Sequence, residues 1–199
     1  MPSFKITQPN TGSIHITDGD PLVKAGTVTA PATGSIVVKH VQFGPMCQTT
    51  LTLNNVPQAV VNGTEYQGTK LYTFPEGRIL VLGTTATLQQ KTTSALATTL
   101  NAGVTGAIAL GSAAASNVSL TSTIVSFLPT TAFTSSATVN VAGTAVKAAL
   151  AASAQFDGTT TPVPVYLNTA YATTTDVDGD ATQTISGTIV LSWVNLGDY

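Results

Sequence analysis

Between Thr92 and Val146 the chain runs 55 residues without one Asp, Glu, Lys, Arg or His. Thr, Ser, Ala, Val, Leu and Gly make up most of that window, and this limits what the chain can fold into. Acid–base and nucleophilic chemistry need titratable groups in a cleft, and a free-standing soluble surface normally carries charge on about a quarter of its residues. Here only 16 of 199 residues are charged. Such a surface is suited to being covered or densely arrayed. It points to a structural role and away from an enzyme.

The same residues choose the secondary structure. The chain holds 37 Thr and 14 Ser against 7 Lys plus Arg. Thr is stiff at χ1 and fits the pleated surface of a sheet. A disordered Ser/Thr-rich chain would pair low hydrophobicity with high net charge, whereas here mean hydropathy is +0.29 and net charge −2. Apolar residues reach 43% but aromatics only 6%, so the core rests on Val, Ile, Leu and Ala. A chain of this length can bury roughly 70% of its unfolded surface. The expectation is a mainly β protein, a β-sandwich or jelly-roll-like body with one or two short helices.

Residues 1–33 carry Pro2, Pro9, Pro21 and Pro31 with Gly12, Gly19 and Gly26 between them, a spacing that breaks long ladders. They read as an extended N-terminal arm with short strand pieces at Ser13–Thr17 and Gly26–Thr29, against the plainer reading of a frayed terminus. Residues 34–199 read as the β domain, with a possible sub-division near residue 91.

Strands are expected at Ser35–Val41, Thr49–Leu53 and Val56–Val61. Asn62-Gly63 is the strongest turn signal and predicts a hairpin joining Val56–Val61 to Thr64–Phe74. Arg78–Leu82 and Thr84–Gln90 read as a strand pair about Gly83. Further strands are expected at Ser94–Leu100, at Val104–Gly111, which alternates with period two, and at Ala137–Ala142. Leu120–Leu128 has apolar residues at helical spacing before Pro129 and predicts one short helix. Val163–Ala172 predicts a second. Thr182–Leu196 is a long β-branched segment, with Ile185, Ile189, Leu191 and Trp193 on one face and Val190, Val194 and Leu196 on the other. Apolar residues on both faces mark a central strand, with Trp193 and Ile189 as core.

Motifs that carry chemistry are scarce. His15 and His40 stand apart with no cysteine partner for a metal. Cys47 is the only cysteine and reads as a free buried thiol. Gly63-Thr-Glu-Tyr-Gln-Gly68-Thr69-Lys70 approaches a phosphate-binding loop, but its lysine comes one place late. Asp176, Asp178 and Asp180 are the one acidic cluster and a weak Ca²⁺ candidate. Ala181 and Gly187 stand where an EF-hand needs Gly and Glu, so a solvated acidic loop is the commoner explanation. No cofactor is implied. Without a basic cluster there is no nucleic-acid surface, and without an apolar run of about 18 residues there is no membrane span. Met1–Asn10 has no apolar stretch of the signal-peptide kind, which points to folding in a reducing cytoplasm.

Several strings carry a resemblance: Phe74-Pro-Glu-Gly-Arg-Ile-Leu-Val-Leu-Gly83, Phe133-Thr-Ser-Ser-Ala-Thr-Val-Asn-Val-Ala-Gly143, Ala151-Ala-Ser-Ala-Gln-Phe-Asp-Gly-Thr159, residues 166–180, and Trp193-Val-Asn-Leu-Gly-Asp-Tyr199. From about Tyr66 to Tyr199 the chain resembles proteins encoded in the structural-gene modules of tailed bacteriophages, near the major capsid gene. Residues 1–60 fall outside the resemblance, and no catalytic residue is transferred by it. It implies a virion protein on the capsid exterior, assembled in the host bacterial cytoplasm. The expected role is a head decoration (cement) protein whose partners are the major capsid protein and other copies of itself, as a homotrimer. Two other readings stay open: a tail tube or other major virion subunit, and a carbohydrate-binding module on a head fibre, with Tyr166, Tyr171 and Asp176–Asp180 as its contact residues.

Overall fold

A computed structural model of the chain describes residues 5–7, 15–17, 25–92, 105–134, 146–149, 154–171 and 180–197. Among these described residues thirteen strands follow in order: β1 (Lys5–Thr7), β2 (His15–Thr17), β3 (Thr27–Val28), β4 (Ser35–Phe43), β5 (Met46–Val60), β6 (Tyr66–Thr73), β7 (Gly77–Thr92), β8 (Thr105–Gly111), β9 (Leu128–Thr134), β10 (Val146–Ala149), β11 (Ala154–Gly158), β12 (Pro164–Tyr171) and β13 (Ala181–Asn195). A 3-10 turn, Ser122–Val125, precedes β9.

The strands form two antiparallel sheets stacked as a sandwich. The first runs β10-β7-β13-β5-β4, with β11 also on β7; the second runs β3-β6-β12-β8-β9. β1 and β2 pair with each other, and β2 lies against β4. Within the predicted arm, β3 belongs to the body: it pairs with β6, and the Gly26 N–H donates to the buried Tyr72 hydroxyl at 2.8 Å.

β13 is central, as its two apolar faces predict. It pairs with β5 from Ala181 to Val194 and with β7 from Gln183 to Asn195. Its inner face puts Ile185, Ile189, Leu191 and Trp193 in the core. Trp193 meets Phe74 edge-on, with ring centroids 5.3 Å apart. Phe74 in turn meets Tyr72 at 5.4 Å and Phe127 at 5.8 Å. These contacts join the two sheets.

A threonine satisfies the polar edge of the same cluster. The Trp193 indole N–H donates to Thr49 Oγ1 at 3.0 Å, and His40 Nδ1 lies 3.1 Å from that oxygen. Tyr72 is also hydrogen-bonded to Thr49, and burial pushes its phenol up to about 12. Cys47, beside Trp193 in the β5–β13 register, is a free buried thiol as expected. Burial raises it to about 11, so it stays protonated at neutral pH.

Two strands are longer than the sequence pattern suggests. Thr49–Leu53 and Val56–Val61 are one strand, β5, in which the inward phase changes from odd to even residues at Asn54-Asn55. Asn55 there adopts φ 52°. This is a bulge: the two asparagines lie opposite Ser186, whose hydroxyl accepts from the Asn55 N–H at 2.9 Å. Arg78–Leu82 and Thr84–Gln90 are likewise one strand, β7. Gly83 makes no turn there, and the register shift puts the inward residues before it at Ile79 and Val81 and those after it at Thr84, Ala86 and Leu88.

Three expectations are corrected. The Asn62-Gly63 turn exists, with Gly63 at φ 82° and the Thr64 N–H bonded to the Val61 carbonyl. It joins no ladder beyond Val61–Thr64. β5 and β6 enter opposite sheets, because each has an apolar inner face that is buried better across the sandwich than beside its neighbour in sequence. The hairpin in this region is instead β4–β5, closed by Gly44-Pro45 with Gly44 at φ 56°. The predicted helix at Leu120–Leu128 is only the 3-10 turn, after which Leu128 starts β9. The predicted helix at Val163–Ala172 is β12, whose residues Val165, Leu167, Thr169 and Tyr171 alternate inward between β6 and β8. A short apolar run fits either period, and the free ladder edges decide for the strand. Ser94–Leu100 and Ala137–Ala142 lie outside the described residues.

Removing the central anchor tests this packing. Trp193→Ala is expected to cost about 3–5 kcal/mol, and Thr49→Val, which strips an acceptor from a buried indole N–H, about 1–3 kcal/mol. Urea unfolding followed by circular dichroism reads both. A loss under 0.5 kcal/mol for either would contradict the arrangement.

Candidate contact surface

The outer faces of the two sheets differ. Over the second sheet the chain folds back between β8 and β9, and residues 112–127 lie across β12. Asn168 on β12 holds this segment. Its Oδ1 accepts from the Ala115 N–H at 2.8 Å, and its Nδ2 donates to the Ala113 carbonyl at 3.0 Å and the Ile124 carbonyl at 2.8 Å. The register puts Asn168 between Gly68 and Ala109, and those small neighbours leave room for the approach. A Cβ at Gly68 would come 2.7 Å from Ala114. Leu120, Ile124, Ala109 and Ala170 form a separate small core beneath the segment. Leu120 and Ser122 are held in left-handed backbone, at φ 44° and 62°, a cost sustained by the surrounding contacts.

Among the described residues, no segment folds back over the outer face of the first sheet as 112–127 does over the second. Register assigns its rows across β4, β5, β13 and β7. One row is Phe43–Met46–Val194–Leu80, the next Val41–Gln48–Ser192–Gly83, then Lys39–Thr50–Val190–Thr85 and Val37–Thr52–Thr188–Thr87. Lys39 is the only charged residue in these four rows. Phe43 is 60% exposed and Met46 49%, with Leu82 and Leu196 also exposed nearby, while Val37, 62% exposed, stands in the far row. One end of the face is therefore an apolar ridge, and the rest is threonine with scattered valine. Apolar side chains grouped in this way mark a contact site more than singly scattered ones do.

The sequence-derived candidates are not drawn together. Of Asp176, Asp178 and Asp180, only Asp180 is among the described residues. One of its oxygens accepts from the Asn62 N–H at 3.0 Å, a bond that fastens the 61–64 turn to the start of β13. No group of three His, Cys, Asp or Glu side chains able to hold a metal occurs among the described residues. Tyr171 is buried, with its ring 5.9 Å from that of Phe133, so it offers no platform to a sugar. Tyr166 is half-buried. His40 belongs to the Trp193 cluster. Asn168 was not evident from sequence, because its role depends on which strand lies outermost beneath the returning chain.

Comparison with protein-family models, with curated proteins and with solved structures finds no match to this chain.

The clamp has a direct test. Asn168→Ala should leave three backbone groups without their partner, lower stability by roughly 2–3 kcal/mol and open residues 114–123 to limited proteolysis. A variant as stable and as protease-resistant as wild type would show that the segment is held by other contacts.

Proposed function

We propose that this protein is a bacteriophage head decoration protein that binds the capsid shell through non-catalytic contacts, with the open face of the first sheet as its principal contact surface. The observation that carries the reading is that face: a broad antiparallel surface with a ridge of Phe43, Met46, Leu82 and Leu196 and a single charge in its four rows. The resemblance to phage structural-module proteins read in the sequence from about Tyr66 to Tyr199 points the same way, and on this proposal the partner is the major capsid protein of the same virion.

The chemistry is that of a contact made without ions. Interface centres are depleted of Asp, Glu and Lys, since stripping water from an unpaired charge costs more than a contact returns. Threonine gives its surface hydroxyls to a partner or to water at little cost. Copies joined as a homotrimer would bind the shell at several points, each later contact being intramolecular once the first is made. Weak single faces then suffice.

Phage heads that lack the protein supply the test, by co-sedimentation and electron cryomicroscopy. The wild-type chain is expected to bind saturably and give regular density between shell subunits. Phe43→Ser combined with Met46→Ser should weaken binding at least tenfold with an unchanged unfolding midpoint, because both side chains are already exposed. Absence of wild-type binding would reject the decoration role. Wild-type binding with an unaffected double variant would move the contact to another face.

A further inference from the structure

The two ends of the sandwich interior differ in chemistry. Around Trp193 the interior is aromatic and aliphatic, with His40 and Thr49 hydrogen-bonded to each other and Gln42 and Thr84 buried nearby. At the opposite end, where β5, β7 and β12 finish and β13 begins, glutamines stand at inward positions among the apolar ones, between Val56 and Val60 on β5 and between Ala181 and Ile185 on β13. Gln58 on β5 and Gln183 on β13 are direct partners across the ladder, and both are fully buried. Gln90 on β7 is 3% exposed and faces inward one row along, opposite Ile185. From the second sheet comes Thr169, 3% exposed, with Oγ1 3.4 Å from Gln58 Oε1. Glu65, 6% exposed, sits beside the end of β12, where its carbonyl accepts from the Tyr171 N–H at 2.8 Å.

These groups are not satisfied by one another. Gln58 Nε2, both polar atoms of Gln90, both of Gln183 and Glu65 Oε1 are buried without a hydrogen-bond partner among the described residues. A buried donor or acceptor left unpaired loses its bond to water and gains none in return, and a fold of ordinary stability does not sustain six such atoms at one end. Buried polar atoms of this kind are normally bonded to enclosed water, which needs a polar site with two to four partners per molecule.

We propose that Gln58, Gln90, Gln183 and Glu65 line a site between the sheets that binds a cluster of ordered internal water. The amides supply both donors and acceptors, and Thr169 closes the site from the second sheet. The sandwich is then hydrated at the glutamine end. The hydrated end is where local opening begins, since water already inside lowers the cost of parting the sheets there.

Nuclear magnetic resonance of the full chain tests this through the glutamine side-chain amides. Cross-relaxation with long-lived water is expected at Gln58, Gln90 and Gln183, and backbone amides of residues 181–185 should exchange with solvent faster than those of 189–193. In Gln58→Leu combined with Gln183→Leu the water signal at Gln90 should weaken, with an unfolding midpoint equal to or above that of wild type. The proposal is overturned if the wild-type amides show contacts to protein groups alone. A lower midpoint in the double variant would overturn it as well, by showing that the amides are bonded to protein. So would equal protection along β13, or an ion in place of water in a high-resolution density map.

Discussion

β13 is the element on which the rest of the molecule depends. It is hydrogen-bonded on both sides over almost its whole length, and its inner face supplies the largest buried side chain, Trp193. That indole and the rings of Phe74, Tyr72 and Phe127 form a chain of aromatic contacts in the core between the sheets, the kind of large buried surface aromatic side chains supply. Thr49 makes the burial possible by accepting the indole N–H. One hydroxyl thus satisfies the polar atom that a large aromatic anchor carries into the core.

The same economy with charge runs through the fold. Hydroxyls and carboxamides bond the loops to the strands: Asn168 holds the segment over the second sheet and Ser186 closes the β5 bulge. Short neutral groups of this kind do locally what ion pairs do elsewhere, without the desolvation cost of a buried charge. The consequence outside the core is a sheet face of threonine and valine with an apolar ridge. The proposed contact role rests on that face.

The sequence made the class of fold legible because β-branched residues and period-two alternation dominate it. It also placed β13, Trp193 and Ile189, since apolar residues on both faces of a strand have one explanation in a sandwich. The failures have physical causes. Val163–Ala172 satisfies a helical spacing by chance, and only the ladders offered by β6 and β8 make it a strand. Asn62-Gly63 gave the turn but not the partner, because pairing is set by which faces need burial. The bulge at Asn54-Asn55 was read as a break between strands, although its signal, a slip in the inward phase, is present in the residues. The inward glutamines were equally visible at core positions of their strands, at Gln58 between Val56 and Val60. The clamp at Asn168 and the hub at Thr49 were not visible, since each depends on segments distant in sequence.

The central proposal is that this protein works by contact through a surface that has given up charge, and its most direct test is the salt dependence of the proposed association with phage heads. Interactions between exposed charges weaken as the screening length falls from about 10 Å at 0.1 M salt to about 3 Å at 1 M, whereas burial of apolar surface does not. Over that range the account predicts an affinity that is flat or rises slightly. A tenfold or greater loss of affinity would contradict it and show that the attachment is electrostatic, carried by the few charged residues and not by the open sheet face.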